Sequence, residues 1–236
     1  MSEYATGRPG LIFTGGEGPL PWQCRGIVED ARAAAEAEPL IVAADSGLLL
    51  AERAGIVPDW IIGDMDSLGE EAENRLAAYP PEKIRSFPRD KDYTDTELAF
   101  SLLLEKDCKR IWIVGGGGGR IDQLFAIRSL FERDTPPERW VTSREDIRCV
   151  EARHNGPSGL KACSEGLVSV FPLGNGPWEA ESSGLKWPLD GLAWNRGLFG
   201  VSNEAPHGDF VVRAKRGRFM VIAPLPGGSR GEGLLQ

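Results

Sequence analysis

The sequence predicts an α/β protein: an N-terminal parallel-sheet α/β domain followed by a C-terminal all-β sandwich domain. Three observations carry this expectation. Up to about residue 150, short continuous apolar runs alternate with segments of helical periodicity, as in a parallel sheet whose strands are buried on both faces. After about residue 155 helical periodicity stops and strand-like runs such as Leu167–Phe171 and Asp209–Ala214 take over. The polar loops at Asp45, at Asp64–Asp66 and at Gly115–Asp122 each follow an apolar run directly, so one edge of the sheet would collect all of them. The expected organisation is an α/β domain over 1–150, a β-sandwich over 151–225 and a Gly-rich, disordered tail over 226–236.

Taken in order, Leu11–Thr14 is an apolar run stopped by Gly15-Gly16-Glu17-Gly18-Pro19, a buried strand and a turn. Trp22–Glu38 is Ala-rich with Ile27, Ala31, Ala34 and Ala35 at helical spacing. Leu40–Ala44 is a second buried strand, and Leu48–Ala54 a helix ended by Gly55. Trp60-Ile61-Ile62 is a third strand. A helix over Gly69–Ala78 is broken by Pro80-Pro81, and Ile84–Phe87 is a short strand. Asp95–Glu105 presents Leu98, Leu102 and Leu103 on one helical face. Arg110–Val114 is a buried strand, Ile121–Arg133 a helix, and Trp140–Thr142 and Ile147–Val150 strands. In the second part, Leu167–Phe171, Leu192–Trp194, Asp209–Ala214 and Phe219–Ala223 read as strands, the last two forming a hairpin across Lys215–Arg218. Trp22, Trp112, Trp178 and Trp194 are assigned to packing.

Composition narrows the function classes. With 236 residues, 41% hydrophobic and 26% charged, the chain can bury a sizeable core. A net charge of −8 argues against a broad nucleic-acid surface. It leaves room for an anionic nucleotide, because bound cations reverse the local field. The four cysteines, Cys24, Cys108, Cys149 and Cys163, show no C-x-x-C spacing, and His154 and His207 are not placed as a zinc set requires. Reduced cysteines in a cytosolic protein are expected. Met1–Gly10 lacks an apolar signal core, and no apolar run approaches the ~18 residues of a membrane span. A soluble, cytoplasmic protein without membrane or nucleic-acid partners is expected.

Three loops carry candidate chemistry. In Gly63-Asp64-Met65-Asp66, the two carboxylates flank one residue. In extended backbone they share a face with Cα atoms roughly 6.5–7 Å apart. They read either as a solvated turn or as a site for a hard cation such as Mg²⁺. In Asp90-Lys91-Asp92-Tyr93-Thr94-Asp95-Thr96-Glu97, Thr94 and Glu97 have capping-box spacing, and Asp95 suits the first turn of the helix. The cap does not account for Asp90 and Asp92, for which a cation is the economical partner. The helix N-terminus is expected to lower the Asp95 pKa, as suits an ionised ligand or hydroxyl acceptor. Gly115–Gly119 lies between a strand and a helix, where backbone can approach phosphates. It matches neither a P-loop nor G-x-G-x-x-G, because Arg120 stands in the last glycine's place. Arg120 would neutralise phosphate charge, and Asp122 could bind a metal, a hydroxyl or Arg120 itself. In the β domain, Trp187 sits in a Gly/Pro-flanked turn and reads as a ring-stacking or a rim residue.

Taken together, Ala44-Asp45-Ser46-Gly47, Pro58–Ser67, Asp90–Asp95, Gly118–Gln123, Gly184-Leu185-Lys186-Trp187 and Ser202-Asn203 resemble the motifs of thiamine pyrophosphokinases, in the family's order and over about residues 40 to 205. Two departures stand out. Ser46-Gly47 replaces a frequent Gly-Gly, and Asp90-Lys91-Asp92 replaces the usual Asp-Gln-Asp. The resemblance implies transfer of a pyrophosphoryl group from ATP to the hydroxyl of thiamine, Mg²⁺ as cofactor, and a homodimer. It further implies catalytic roles for Asp64, Asp66, Asp92 and Asp95, with Asp64, Asp66 and Asp92 on the metal. Asp45, Ser46, Lys91, Thr94, Arg120, Asp122 and Gln123 would bind ATP, and Asp95, Trp187, Ser202 and Asn203 thiamine. A pterin pyrophosphokinase would share the acidic domain but not need Gly184–Trp187 or Ser202-Asn203. A haloacid-dehalogenase-type phosphatase would place its Asp-x-Asp after the first strand, not the third.

Overall fold

The computed structural model describes residues 7–69, 71–152, 158–163 and 166–227. Nearly all of the expected tail lies outside the described residues, as does His154. The chain divides into two compact units, Met1–Thr142 and Ser143–Gln236.

The first unit runs β1 (Pro9–Thr14), α1 (Pro21–Ala35), β2 (Leu40–Ala44), α2 (Gly47–Arg53), β3 (Trp60–Gly63), α3 (Ala72–Leu76), β4 (Ile84–Ser86), α4 (Asp95–Glu105), β5 (Arg110–Gly115), α5 (Ile121–Leu130) and β6 (Arg139–Val141). Its strands lie in the order β6-β5-β1-β2-β3-β4, with every pair parallel. β1, β2 and β5 are buried at every residue, which is why their sequences are unbroken apolar runs rather than alternating ones. The helices bury one stripe each: Cys24, Ile27, Val28 and Ala31 on α1, and Ala99, Phe100, Leu102 and Leu103 on α4. Trp22 does not pack as expected; it stands 54% exposed beside that stripe. The helix expected over Gly69–Ala78 is shorter. A 3₁₀ turn at Asp66–Leu68 comes first, and Gly69, at φ 77°, separates it from α3. No helix among the described residues is long and apolar enough to cross a membrane.

The second unit contains β7 (Glu145–Glu151), β8 (Ser158–Cys163), β9 (Leu167–Leu173), β10 (Glu179–Ser183), β11 (Gly200–Glu204), β12 (Asp209–Arg216) and β13 (Arg218–Pro224). They form two antiparallel layers, β11-β9-β13-β7 and β10-β12-β8, around one core that includes Val168, Val170, Phe210, Val212, Phe219 and Val221. β7 belongs here rather than to the preceding α/β unit, because it pairs with β13 along its whole length, from Glu145↔Pro224 to Glu151↔Arg218.

Two expectations are corrected in this unit. β12 and β13 do not form a hairpin: β12 pairs with β10 and β8, while β13 pairs with β7 and β9. The chain changes layer at Gly217, at φ 75°, where a Cβ would lie 2.7 Å from the Pro177 carbonyl. Leu192–Trp194 is a loop, not a strand. Its amides close tight local turns, with Trp194 N–H donating to the Leu192 carbonyl at 3.0 Å. Its apolar character comes from Trp194, which anchors the loop by edge-to-face contact with Phe219 at 5.1 Å.

Candidate active site

β1 is flanked by β2 on one side and β5 on the other, so the strand order reverses there. At such a point neighbouring strand-end loops diverge and leave a crevice. The loops after β1 and β5 are both glycine-rich and are tied together. Glu17 N–H donates to the Gly117 carbonyl at 2.7 Å, and Gly117 N–H donates to the Glu17 carbonyl at 2.9 Å. Glycine is required at 115 because φ is 101° and a Cβ would sit 2.3 Å from the Thr14 carbonyl. Gly47 likewise lets the start of α2 close on the end of β1; a Cβ there would meet the Phe13 carbonyl at 2.0 Å.

The resulting crevice, of about 600 Å³, is lined by Asp45, Ser46, Asp64, Asp66, Lys91, Asp92, Thr94, Asp95, Arg120 and Gln123 among others, all within the first unit. One carboxylate oxygen from each of Asp45, Asp64 and Asp66 lies within 4.8 Å of the others. The expected metal set was Asp64, Asp66 and Asp92. Asp92 lines the same crevice but is exposed and outside this trio, whose third member is Asp45. The trio suits a hard cation bound by oxygen. Asp45 Oδ1 is buried and has no hydrogen-bond partner among the described residues, an expensive state for an anionic oxygen unless a cation joins it.

Lys91 Nζ stands 3.4 Å from Asp64 Oδ2 and 3.2 Å from Asp95 Oδ1. Burial by itself would lift the Asp64 pKa, but hydrogen bonding with Asp66 and the Lys91 ammonium outweigh it and hold the carboxyl below its usual range. Asp95 goes the other way. Burial raises its pKa, Lys91 offsets this in part, and the negative charges of Asp45 and Asp64 raise it further. The helix N-terminus therefore does not dominate, contrary to expectation.

The capping box is present: Thr94 Oγ1 accepts from Glu97 N–H at 3.2 Å, and Glu97 Oε2 accepts from Thr94 N–H at 3.0 Å. Ser46 occupies the residue before α2. Arg120 Nε donates to Asp122 Oδ1 at 3.1 Å, and both side chains are exposed. Of the alternatives for Asp122, the one observed is pairing with Arg120, and Asp122 does not line the crevice. Sequence reasoning missed Gly15 and Gly16, as well as Thr14 and Thr96, whose buried hydroxyls meet at 2.7 Å in the crevice wall. The signal for the glycines was available, since they too follow a buried strand directly. The threonine pair lies 82 residues apart in sequence and gave none.

In the second unit, Trp187 and Asn203 come together. Asn203 is buried, accepts from Trp187 N–H at 3.1 Å and donates to the Trp187 carbonyl at 2.6 Å. Its amide is thus spent on holding the Trp187 backbone, while the indole stands half exposed under Lys186 Nζ at 4.5 Å. Ser202 is exposed at φ 59°, with its N–H directed to Ser169 Oγ at 3.3 Å.

A parallel sheet with glycine loops and a carboxylate-lined crevice at its reversal point, followed in the chain by a β-sandwich, is an arrangement in which strand-end loops can hold an anionic ligand and a cation. Residues 31–136 match the catalytic-domain pattern of thiamin pyrophosphokinase. It is similar to the thiamine pyrophosphokinase of Bacillus subtilis, 25% identical over 206 residues that cover 84% of this chain and 93% of that protein. Its fold is similar to that of a thiamin pyrophosphokinase family protein from Enterococcus faecalis, with a TM-score of 0.69, 21% identity, and 92% and 99% of the two chains covered. The yeast thiamin pyrophosphokinase shares the fold at a TM-score of 0.62 and 16% identity, with 94% and 88% covered.

Proposed function

We propose that the chain transfers a pyrophosphoryl group from ATP to the hydroxyl of thiamine, giving thiamine diphosphate and AMP, with Mg²⁺ as cofactor. The observation that carries this reading is the Asp45–Asp64–Asp66 trio, with its unpartnered buried oxygen, beside the paired glycine loops. Asp45, Asp64 and Asp66 would hold the metal, which when bound supplies neutralisation of phosphate charge. Asp92 is proposed to extend that acidic wall. Lys91 and Arg120 bring positive charge to the triphosphate, and Ser46, Thr94 and Gln123 flank it; Asp122 acts by orienting Arg120. Such transfers depend mainly on positioning and charge compensation.

In the reaction a new bond forms between the thiamine oxygen and the β-phosphorus, the bond from that phosphorus to the α,β-bridging oxygen breaks, and AMP leaves. Asp95 orients the hydroxyl and accepts its proton late. Its raised pKa favours this role, since a better-matched base transfers a proton more readily. Trp187, with Ser202 beside Asn203, is proposed to receive the flat thiamine rings by stacking. A cytoplasmic homodimer is proposed on the sequence resemblance alone.

The direct test mixes protein, ATP, Mg²⁺ and thiamine, and follows AMP and thiamine diphosphate by mass spectrometry. Both products should appear in equal amounts. Phosphate release without AMP would favour a phosphatase instead. Trp187→Ala should raise the KM for thiamine at least several-fold with little change in kcat; an unaltered KM removes Trp187 from the site.

A further inference from the structure

Lys91 joins two carboxylates carried by different elements. Asp64 lies in the loop after β3 and Asp95 in the first turn of α4, and the ammonium reaches one oxygen of each, at 3.4 and 3.2 Å. A third oxygen, the Pro88 carbonyl, accepts from the ammonium at 3.2 Å, while the contact with Asp95 is an ion pair, its Oδ1 being buried without a hydrogen-bond partner among the described residues. The Lys91 side chain is 13% exposed. Arg89 offers the contrast: it stands 3.5 Å from Asp66 but is 86% exposed, an ordinary solvated pair. The other oxygen of Asp64 accepts from Asp66 N–H at 3.2 Å, which turns Asp64 toward the trio.

We propose that Lys91 is a built-in cation that takes the place of a second metal ion between Asp64 and Asp95, so that the crevice binds a single divalent cation, on Asp45, Asp64 and Asp66. This rests on the reading of the trio as the metal site. Two anionic oxygens within 3.4 Å of one point, with a carbonyl beside them, make a set of hard donors. A small closure brings them to the roughly 2.0–2.6 Å that Mg²⁺ or Ca²⁺ requires. The ammonium occupies that point permanently, at half the charge. Lys91 is in this sense a positioning residue: it holds Asp95 beside Asp64 against their mutual repulsion.

The test counts Mn²⁺ bound to the nucleotide-free, full-length protein by equilibrium dialysis and electron paramagnetic resonance. Wild type and Lys91→Arg should bind one ion per chain. Lys91→Gln and Lys91→Met should each bind two, with spectra broadened by coupling between ions that share Asp64. Asp66→Asn should lose the ion that wild type holds. Two ions in wild type would overturn the proposal without recourse to any variant. One wild-type ion that Asp66→Asn removes, with no second ion in folded Lys91→Gln or Lys91→Met, would overturn the role of Lys91 and leave the metal site standing. No ion in wild type would overturn both.

Discussion

Asp95 combines a helix N-terminus, which favours a negative charge, with burial and two neighbouring carboxylates, which disfavour it; the second group wins. A carboxyl raised in the folded state above its unfolded value of about 3.9 contributes stability that is fully present below that value and lost as pH rises through the folded one. At neutral pH the ionised group therefore costs stability. Asp95→Asn should melt a few degrees above wild type at pH 7.5 in the presence of a chelator, with the gap closing toward pH 4, while turnover falls. Equal gaps at both pH values in thermal melts would remove the charge argument. For the trio, Asp45→Asn, Asp64→Asn and Asp66→Asn should each lower turnover on the order of 10²-fold or more, as read by AMP production. That Asp64 and Asp66 belong together is legible in their spacing. That Asp45 rather than Asp92 joins them is not, because the neighbour is set by the pairing of β2 with β3, which brings Asp45 N–H to the Ile62 carbonyl at 2.7 Å.

At the level of elements, the cap of α4 sets where Asp95 points. Thr94→Ala should cost about 1 kcal/mol, seen in chemical denaturation, and Thr94→Ser should restore most of it. Turnover should fall with Thr94→Ala as well, since the first turn frays. The bounds of α4 were readable to the residue, because cap, apolar stripe and terminus all agree. β8, β10 and β11 escaped notice for the opposite reason. They are rich in Ser, Gly, Lys and Glu, and their strand conformation comes from pairing partners rather than from an apolar pattern of their own. Leu192–Trp194 failed the other way: a short apolar run does not separate a strand from a loop pinned by one buried indole.

For the whole molecule, the class of each unit was legible from periodicity, while the way the β unit distributes its strands between layers was not. Alternation tells which residues face inward but not which layer a strand joins. The acidity of the chain also acts at this scale. With a net charge of −8 and a trio of carboxylates, one of which keeps a buried unpartnered oxygen, a divalent cation that binds only the folded chain should raise its melting temperature. The gain is about 2.7 kcal/mol of stability at one hundred times the dissociation constant. Differential scanning calorimetry should show this shift with Mg²⁺ in wild type and not in Asp66→Asn. Sodium chloride of equal ionic strength serves as the control for general screening.

The change of layer at Gly217 bears on the order in which the chain is made. β13 leaves the ribosome after every other strand among the described residues, yet it lies inside its sheet, between β9 and β7. All six strands of the parallel sheet are available once Val141 has emerged. The sandwich, by contrast, holds β7 and β9 apart without a partner between them until Arg218–Pro224 arrives. Folding of the second unit thus waits for Arg218–Pro224, and a stop codon just ahead of Arg218 would remove the middle of a layer rather than trim its edge.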